Sequence, residues 1–296
     1  MVDSLFEMDV SEIVVLFFGL MFTVAFLFAW YGRIFMSASL PPGKTRLERC
    51  ILSVLPLAAF AVIFYTLRFH ASFDVVDSPL YISFYILIGF AWLYVGVGAI
   101  FLFFDLSWID DALDRGNRAA LIAIAGGFMG ICVIYSGANI GDGPGWWCVF
   151  FAGGLGLVAF FGLGMAVNAL TSVSERITVE RDLSCGIRFG SYLLASGIIL
   201  ARASAGDWTS FEATVMEFLD VSWPIFIDVS LAIVAMLIER FSMQRNNAGD
   251  EYSQSDWSPI RESKGNETNS LLGSVAIGAI YVIAAVVSVM LLPSVV

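Results

Sequence analysis

The chain has 296 residues, of which 59% are hydrophobic and only 14% charged, with a mean hydropathy of +0.85. A soluble domain carries about 25% charged residues, so the composition excludes an ordinary soluble fold. The net charge of −11, with no basic run, argues against nucleic-acid binding, while four scattered cysteines (Cys50, Cys132, Cys148, Cys185) and a single histidine, His70, argue against disulfides, a metal centre or a His-based triad. No cofactor is expected.

Apolar runs of about 20 residues, the length that crosses ~30 Å of hydrocarbon, recur along the chain. In lipid the backbone must satisfy its own hydrogen bonds, so these runs are read as helices. The alternation of a membrane β-barrel is absent. The first residues, MVDSLFEMDVSE, are acidic where a secretory signal needs a basic region, so the first run is expected to remain a span. Eight spans are predicted, at 12–36, 49–69, 80–106, 117–138, 146–170, 186–206, 222–241 and 271–293. The expected fold is all-α: a polytopic transmembrane helix bundle forming one integral membrane domain over 1–296, with the lipid bilayer as its first partner.

Thirteen of the fifteen Lys and Arg residues fall on one side of this arrangement; only Arg68 and Arg202 fall on the other. The positive-inside rule makes the rich side cytoplasmic, with both termini outside. Aromatic residues mark the expected depths: Trp30, Tyr31 and Trp108 inside, Trp146, Trp147, Trp208 and Trp223 outside. Between spans 6 and 7, Phe211, Val215, Phe218 and Leu219 recur at helical spacing, which predicts a short amphipathic helix on the outer surface. The polar stretch 244–270 is poor in aliphatics and reads as a flexible cytoplasmic linker.

An offset of 70 residues lays spans 3–4 on spans 5–6. Gly116 then falls on Gly186, Ala125 on Ala195 and Gly127 on Gly197, which predicts a parallel internal repeat of helix pairs. With Gly116, Asn117, Ala119, Ala120 and Gly127 at the opening of span 4, the chain resembles the YjfL-like family of bacterial inner-membrane proteins, a domain of unknown function. The resemblance is best over 80–206, with Gly197 answering Gly127 in the second copy, where the Asn is lost. It implies helix pairs and a multi-pass location in a bacterial inner (plasma) membrane. It implies no chemistry.

Small residues recur four apart at Gly126/Gly130, Gly186/Gly190, Ala152/Gly156 and Gly162/Ala166. Such faces let helix backbones approach closely, either within the bundle or between copies in a homo-oligomer. Asp228, inside span 7, and Asn168, deep in span 5, are the candidate ion or proton site. An ionisable group in a span is expensive and marks a functional hypothesis, against which stands pairing with Arg202 or Arg68. The inner turns carry Arg115, Asn117 and Arg118 with Asp105, Asp110, Asp111 and Asp114 nearby in one copy, and Glu175, Glu180 and Asp182 in the other, read as an ion-paired collar between repeats or as a merely solvated face. No nucleophile–base set or phosphate loop is visible, so the chain is read as not an enzyme. Few polar residues are evident within the spans. The expected function is a structural or adaptor membrane component, with a peripheral cytoplasmic protein as its partner; the alternative is a small-cation channel or transporter.

Overall fold

Each long apolar run closes its own hydrogen bonds as a helix. The computed structural model describes residues 8–37, 46–253 and 263–292. In chain order the helices are α1 (Val10–Ser37), α2 (Arg46–Phe69), the single turn α3 (Phe73–Val76), α4 (Pro79–Phe104), α5 (Arg118–Ala138), α6 (Trp146–Thr171), the short α7 (Val173–Thr178), α8 (Leu183–Ala203), α9 (Phe211–Ser222), α10 (Pro224–Ser253) and α11 (Ser263–Leu291). A π-helical turn, Trp108–Asp114, separates α4 from α5. The described residues hold no strand, only an isolated bridge between Ala71 and Gly141.

Among the described residues seven helices are long and apolar enough to cross a membrane, and α9 passes the same test only jointly with the first part of α10, from which it is bent by 45°. Large apolar side chains such as Phe28, Phe35, Leu102 and Val158 point outward, the exterior that lipid requires. The protein is a multi-pass membrane protein.

The predicted amphipathic helix is α9, but it does not lie apart from span 7. It runs into α10 across the bend and packs on α8 and α6. The physical reason is length. Pro224–Phe241 alone reaches only about 27 Å at 1.5 Å per residue, and it carries Asp228, Glu239 and Arg240. The expected linker 244–270 is helical at both ends, through Ser253 and from Ser263. Adding residues to an existing helix is easy once it is nucleated. Its middle, 254–262, lies outside the described residues.

The centre of the bundle is the pair α5 and α8. In each, 72% of the most apolar stretch is buried, against 22% in α1 and α11. Their close approaches rise in step: Gly186 against Ala119, Gly190 against Ile122, Gly197 against Gly130 and Gly206 against Gly141. The two helices therefore run parallel. Around them α2 and α4 pack on α5, α11 on α8, and α6 on both, while α10 packs on α8, α11 and α6 and α1 covers α4. Trp30, which the sequence reading set at a headgroup depth, is buried among its neighbours. Its indole N–H donates to the Leu52 carbonyl at 2.9 Å and its ring stacks on Trp108 at 4.1 Å.

Candidate functional site: a buried polar seam

The largest set of buried ionisable groups lies where α8, α10 and α11 meet. It begins at the turn before α8. Asp182 caps α8 by accepting from the Cys185 N–H at 3.1 Å, and its other oxygen accepts from the Arg176 guanidinium. Arg176 also donates to Glu239 Oε2 at 2.9 Å. From the facing helix, Arg188 reaches the same Glu239 oxygen at 3.1 Å, the Ala235 carbonyl at 3.1 Å and Ser274 Oγ at 3.1 Å. Two guanidiniums and two carboxylates thus neutralise each other out of solvent, the condition under which buried charges persist. Burial alone would lower the pKa of Arg176. The neighbouring Cys185 and the Asp182 and Glu239 carboxylates reverse that and raise it above its ordinary value.

The seam continues along α8. Arg188, Tyr192 and Ser196 stand four apart and so share one face. On α10, Asp228 and Glu239 are eleven apart, three turns on a common face. Ser196 Oγ donates to Asp228 Oδ2 at 2.9 Å, and Asp228 is 4% exposed. Ser196 lies about 20 Å along α8 from its start, so Asp228 is well inside the bundle. It pairs with neither Arg68, which bonds the Val76 carbonyl and Asp77, nor Arg202, which bonds the Ala205 carbonyl. On α11, Tyr281 is buried two turns after Ser274, the hydroxyl that Arg188 reaches. Among the described residues nine buried side-chain polar atoms lack a hydrogen-bond partner. Five belong to this seam: Arg176 Nη1, Tyr192 Oη, Asp228 Oδ1, Glu239 Oε1 and Tyr281 Oη.

Asn168 is not part of the seam. Its side-chain oxygen accepts from the Ser174 N–H at 2.9 Å, closing the corner between α6 and α7. Gly126, Gly130, Gly186 and Gly190 all lie inside the α5–α8 contact, where an added Cβ at Gly126 would overlap the Gly190 carbonyl. These faces pack the bundle internally. Of the four small-residue faces, only Gly162/Ala166 is open, with no atom within 4 Å of a Cβ at Gly162.

Gly116 takes the left-handed conformation (φ 60°), and Asn117 caps α5, its oxygen accepting from the Ala119 and Ala120 N–H groups. The Asn117 amide also donates to the Ile177 carbonyl at 2.7 Å, which ties the two turns together. The other ion pairs here do not join the two turns: Arg115 pairs with Asp111 of its own turn at 3.0 Å and Arg118 with Glu48 of α2 at 3.4 Å. The backbone landmarks of the two turns stand 65 residues apart, not 70. Gly116 and Arg181 have φ of 60° and 55°, and Asn117 and Asp182 are the caps. Gly127 meets Ile100 and Leu193, whereas Gly197 meets the Gly130 backbone, so that pair does not occupy like positions.

A second feature lies outside the seam. A cavity of about 250 Å³ opens at the other end of α5 and α8, lined by carboxylates including Glu12, Asp74, Asp142, Asp207 and Glu217. Neither Asp228 nor Asn168 reaches it. The described residues contain no group of three His, Cys, Asp or Glu side chains suited to a metal ion.

Arg188, Tyr192, Ser196, Glu239 and Tyr281 went unmarked in the sequence reading. The four-residue spacing on α8 and the eleven-residue spacing on α10 were the available signals. The chain matches no known protein family, no curated protein and no solved structure.

Proposed function

We propose that this membrane protein is a channel or transporter for a small cation, with Asp228 as its intramembrane site. The observation that carries the reading is the Asp228 carboxylate itself: 4% exposed, one oxygen held by Ser196 and the other without a partner. An aspartate at depth in a span costs at least ~2.5 kcal/mol on insertion scales, and packing supplies no reason for it. The structural or adaptor expectation leaned on a scarcity of intramembrane polar groups. Arg188, Ser196, Asp228 and Glu239, all buried, remove that support. The outer acidic cavity concentrates cations at the opposite mouth. The Lys and Arg bias and the YjfL-like resemblance favour a bacterial inner membrane, with both termini outside.

The test is cation flux in proteoliposomes, for protons, sodium and potassium, with the wild type beside Asp228→Asn. Flux that collapses in the variant is the expected result. Absence of flux for all three ions would return the adaptor reading, with partners sought at the inner turns.

A further inference from the structure

We propose that the acidic cavity at the end of α5 and α8 is a binding site for an alkyl diammonium or polyamine, a ligand whose positive charges are spaced along an apolar chain. This is a second site, apart from Asp228, and it does not rest on the transport reading.

Three observations carry it. The first is charge. Glu12 and Asp74 reach the wall from α1 and α3, and Asp142, Asp207 and Glu217 reach it from the loops beyond α5 and α8 and from α9. No Lys, Arg or His is among the described residues that line it. Concave walls of one sign focus the field and concentrate counter-ions. The second is a pair of buried hydroxyls with unmet capacity. Ser204 lines the cavity, is 6% exposed and leaves its Oγ without a hydrogen-bond partner. Tyr85 lines it at 8% exposure, and its hydroxyl makes no hydrogen bond to the described residues. Tyr81, one turn earlier and so on the same face of α4, donates to Glu12 at 3.3 Å. Native proteins leave few buried polar groups unbonded, and an ammonium brings the donors that these oxygens lack. The third is a frame already built. The Gly206 N–H donates to the Ile140 carbonyl at 3.0 Å, the Trp208 N–H to the Asp142 carbonyl at 2.7 Å, and the Asp142 N–H to Asp207 Oδ1 at 2.7 Å. The two loops are thus fastened to each other, and the Trp208 ring is wedged against Trp147, Phe151 and Phe211. A preorganised site loses little on binding.

The class of ligand follows from how the carboxylates are spread. Among the described residues no three acidic, His or Cys side chains converge on a point where a metal ion could sit, and a hard divalent cation asks for about six oxygens. A cavity of about 250 Å³ is also larger than one ion needs. Dispersed carboxylates suit charges that are themselves dispersed. Each ammonium offers three donors to carboxylate and hydroxyl oxygens, and Trp208, Tyr81 and Tyr85 supply an aromatic wall for the methylenes between them.

The test is isothermal titration calorimetry on the full chain in nanodiscs of phosphatidylcholine, whose headgroup carries no net charge to hold the probe itself. The probes are putrescine and spermidine, beside n-butylamine and calcium. Saturable binding of both polyvalent amines is expected, at least about tenfold tighter than n-butylamine and not displaced by calcium at equal concentration. Asp74→Asn/Asp207→Asn should weaken spermidine about tenfold or more, while Asn keeps the oxygen that holds the Asp142 N–H. Tyr85→Phe, which keeps the ring, should weaken it about threefold or more. Asp228→Asn should bind as the wild type does. No saturable binding, n-butylamine bound as tightly as putrescine, or displacement by calcium would each overturn the proposal, the last by making this a metal site. So would an affinity unchanged in both cavity variants, or binding lost in Asp228→Asn, which would put the amine in the seam. Flux through Asp228 is read separately, so either conclusion can fail without the other.

Discussion

At the scale of single residues, Glu239 is the hinge of the buried ion cluster, because both guanidiniums converge on one of its oxygens. Glu239→Leu leaves Arg188 without a carboxylate while Arg176 keeps Asp182. Breaking a buried pair from one side costs ~3–5 kcal/mol, whereas replacing both partners by apolar groups is often neutral. Thermal unfolding in detergent micelles should therefore show a large loss for Glu239→Leu and recovery of most of it in Arg188→Met/Glu239→Leu. A double variant as unstable as the single one would mean that the Arg188 contacts to Ala235 and Ser274 matter more than the charge pair.

At the scale of elements, the glycines of α5 and α8 set how closely the two axes approach. Gly126→Ala would press a methyl into the Gly190 backbone. Overpacking of this kind costs ~1–3 kcal/mol, and it cannot relax cheaply because the obstacle is main chain. Gly162→Ala on α6 meets nothing and should hold or slightly raise the melting temperature, since Ala suits a helix interior better than Gly. The contrast checks that the first pair is internal packing and that the second faces lipid. Much at this scale was legible beforehand. Apolar runs of spanning length marked the long helices, because that signal is local in sequence. The bend between α9 and α10 was not legible, since it depends on how α8 and α6 receive α9. The polar seam was missed for a related reason. Its members come from residues 176 to 281 on four elements.

At the scale of the whole molecule, the parallel central pair fixes which ends share a face. In a background without Cys50, Cys132, Cys148 and Cys185, single cysteines at Asp142 and Thr209 should react with an impermeant maleimide from one side. Cysteines at Asp114 and Glu180 should react only from the other. All four positions are exposed. Reaction of Asp142→Cys and Asp114→Cys from the same side would break the assignment of α5 as a span. The sidedness of charge fits the same picture: Arg115, Arg118, Arg176 and Arg181 lie at one end of the pair, and the acidic cavity at the other.

The backbone-to-backbone seating of α8 on α5 also has a mechanical meaning. With carbonyls lying where side chains would otherwise stand, the two helices can neither slide nor roll past one another without collision. They behave as a keel. Any stroke that exposes Asp228 first to one aqueous phase and then to the other must be made by what is fastened to that keel from outside. The pieces placed to make it are α10, already angled against α9, and α11, little of whose surface is enclosed. On the transport reading proposed above, the working motion is a tilt of two outer staves against a fixed beam, with the carboxylate of Asp228 riding on the stave that moves.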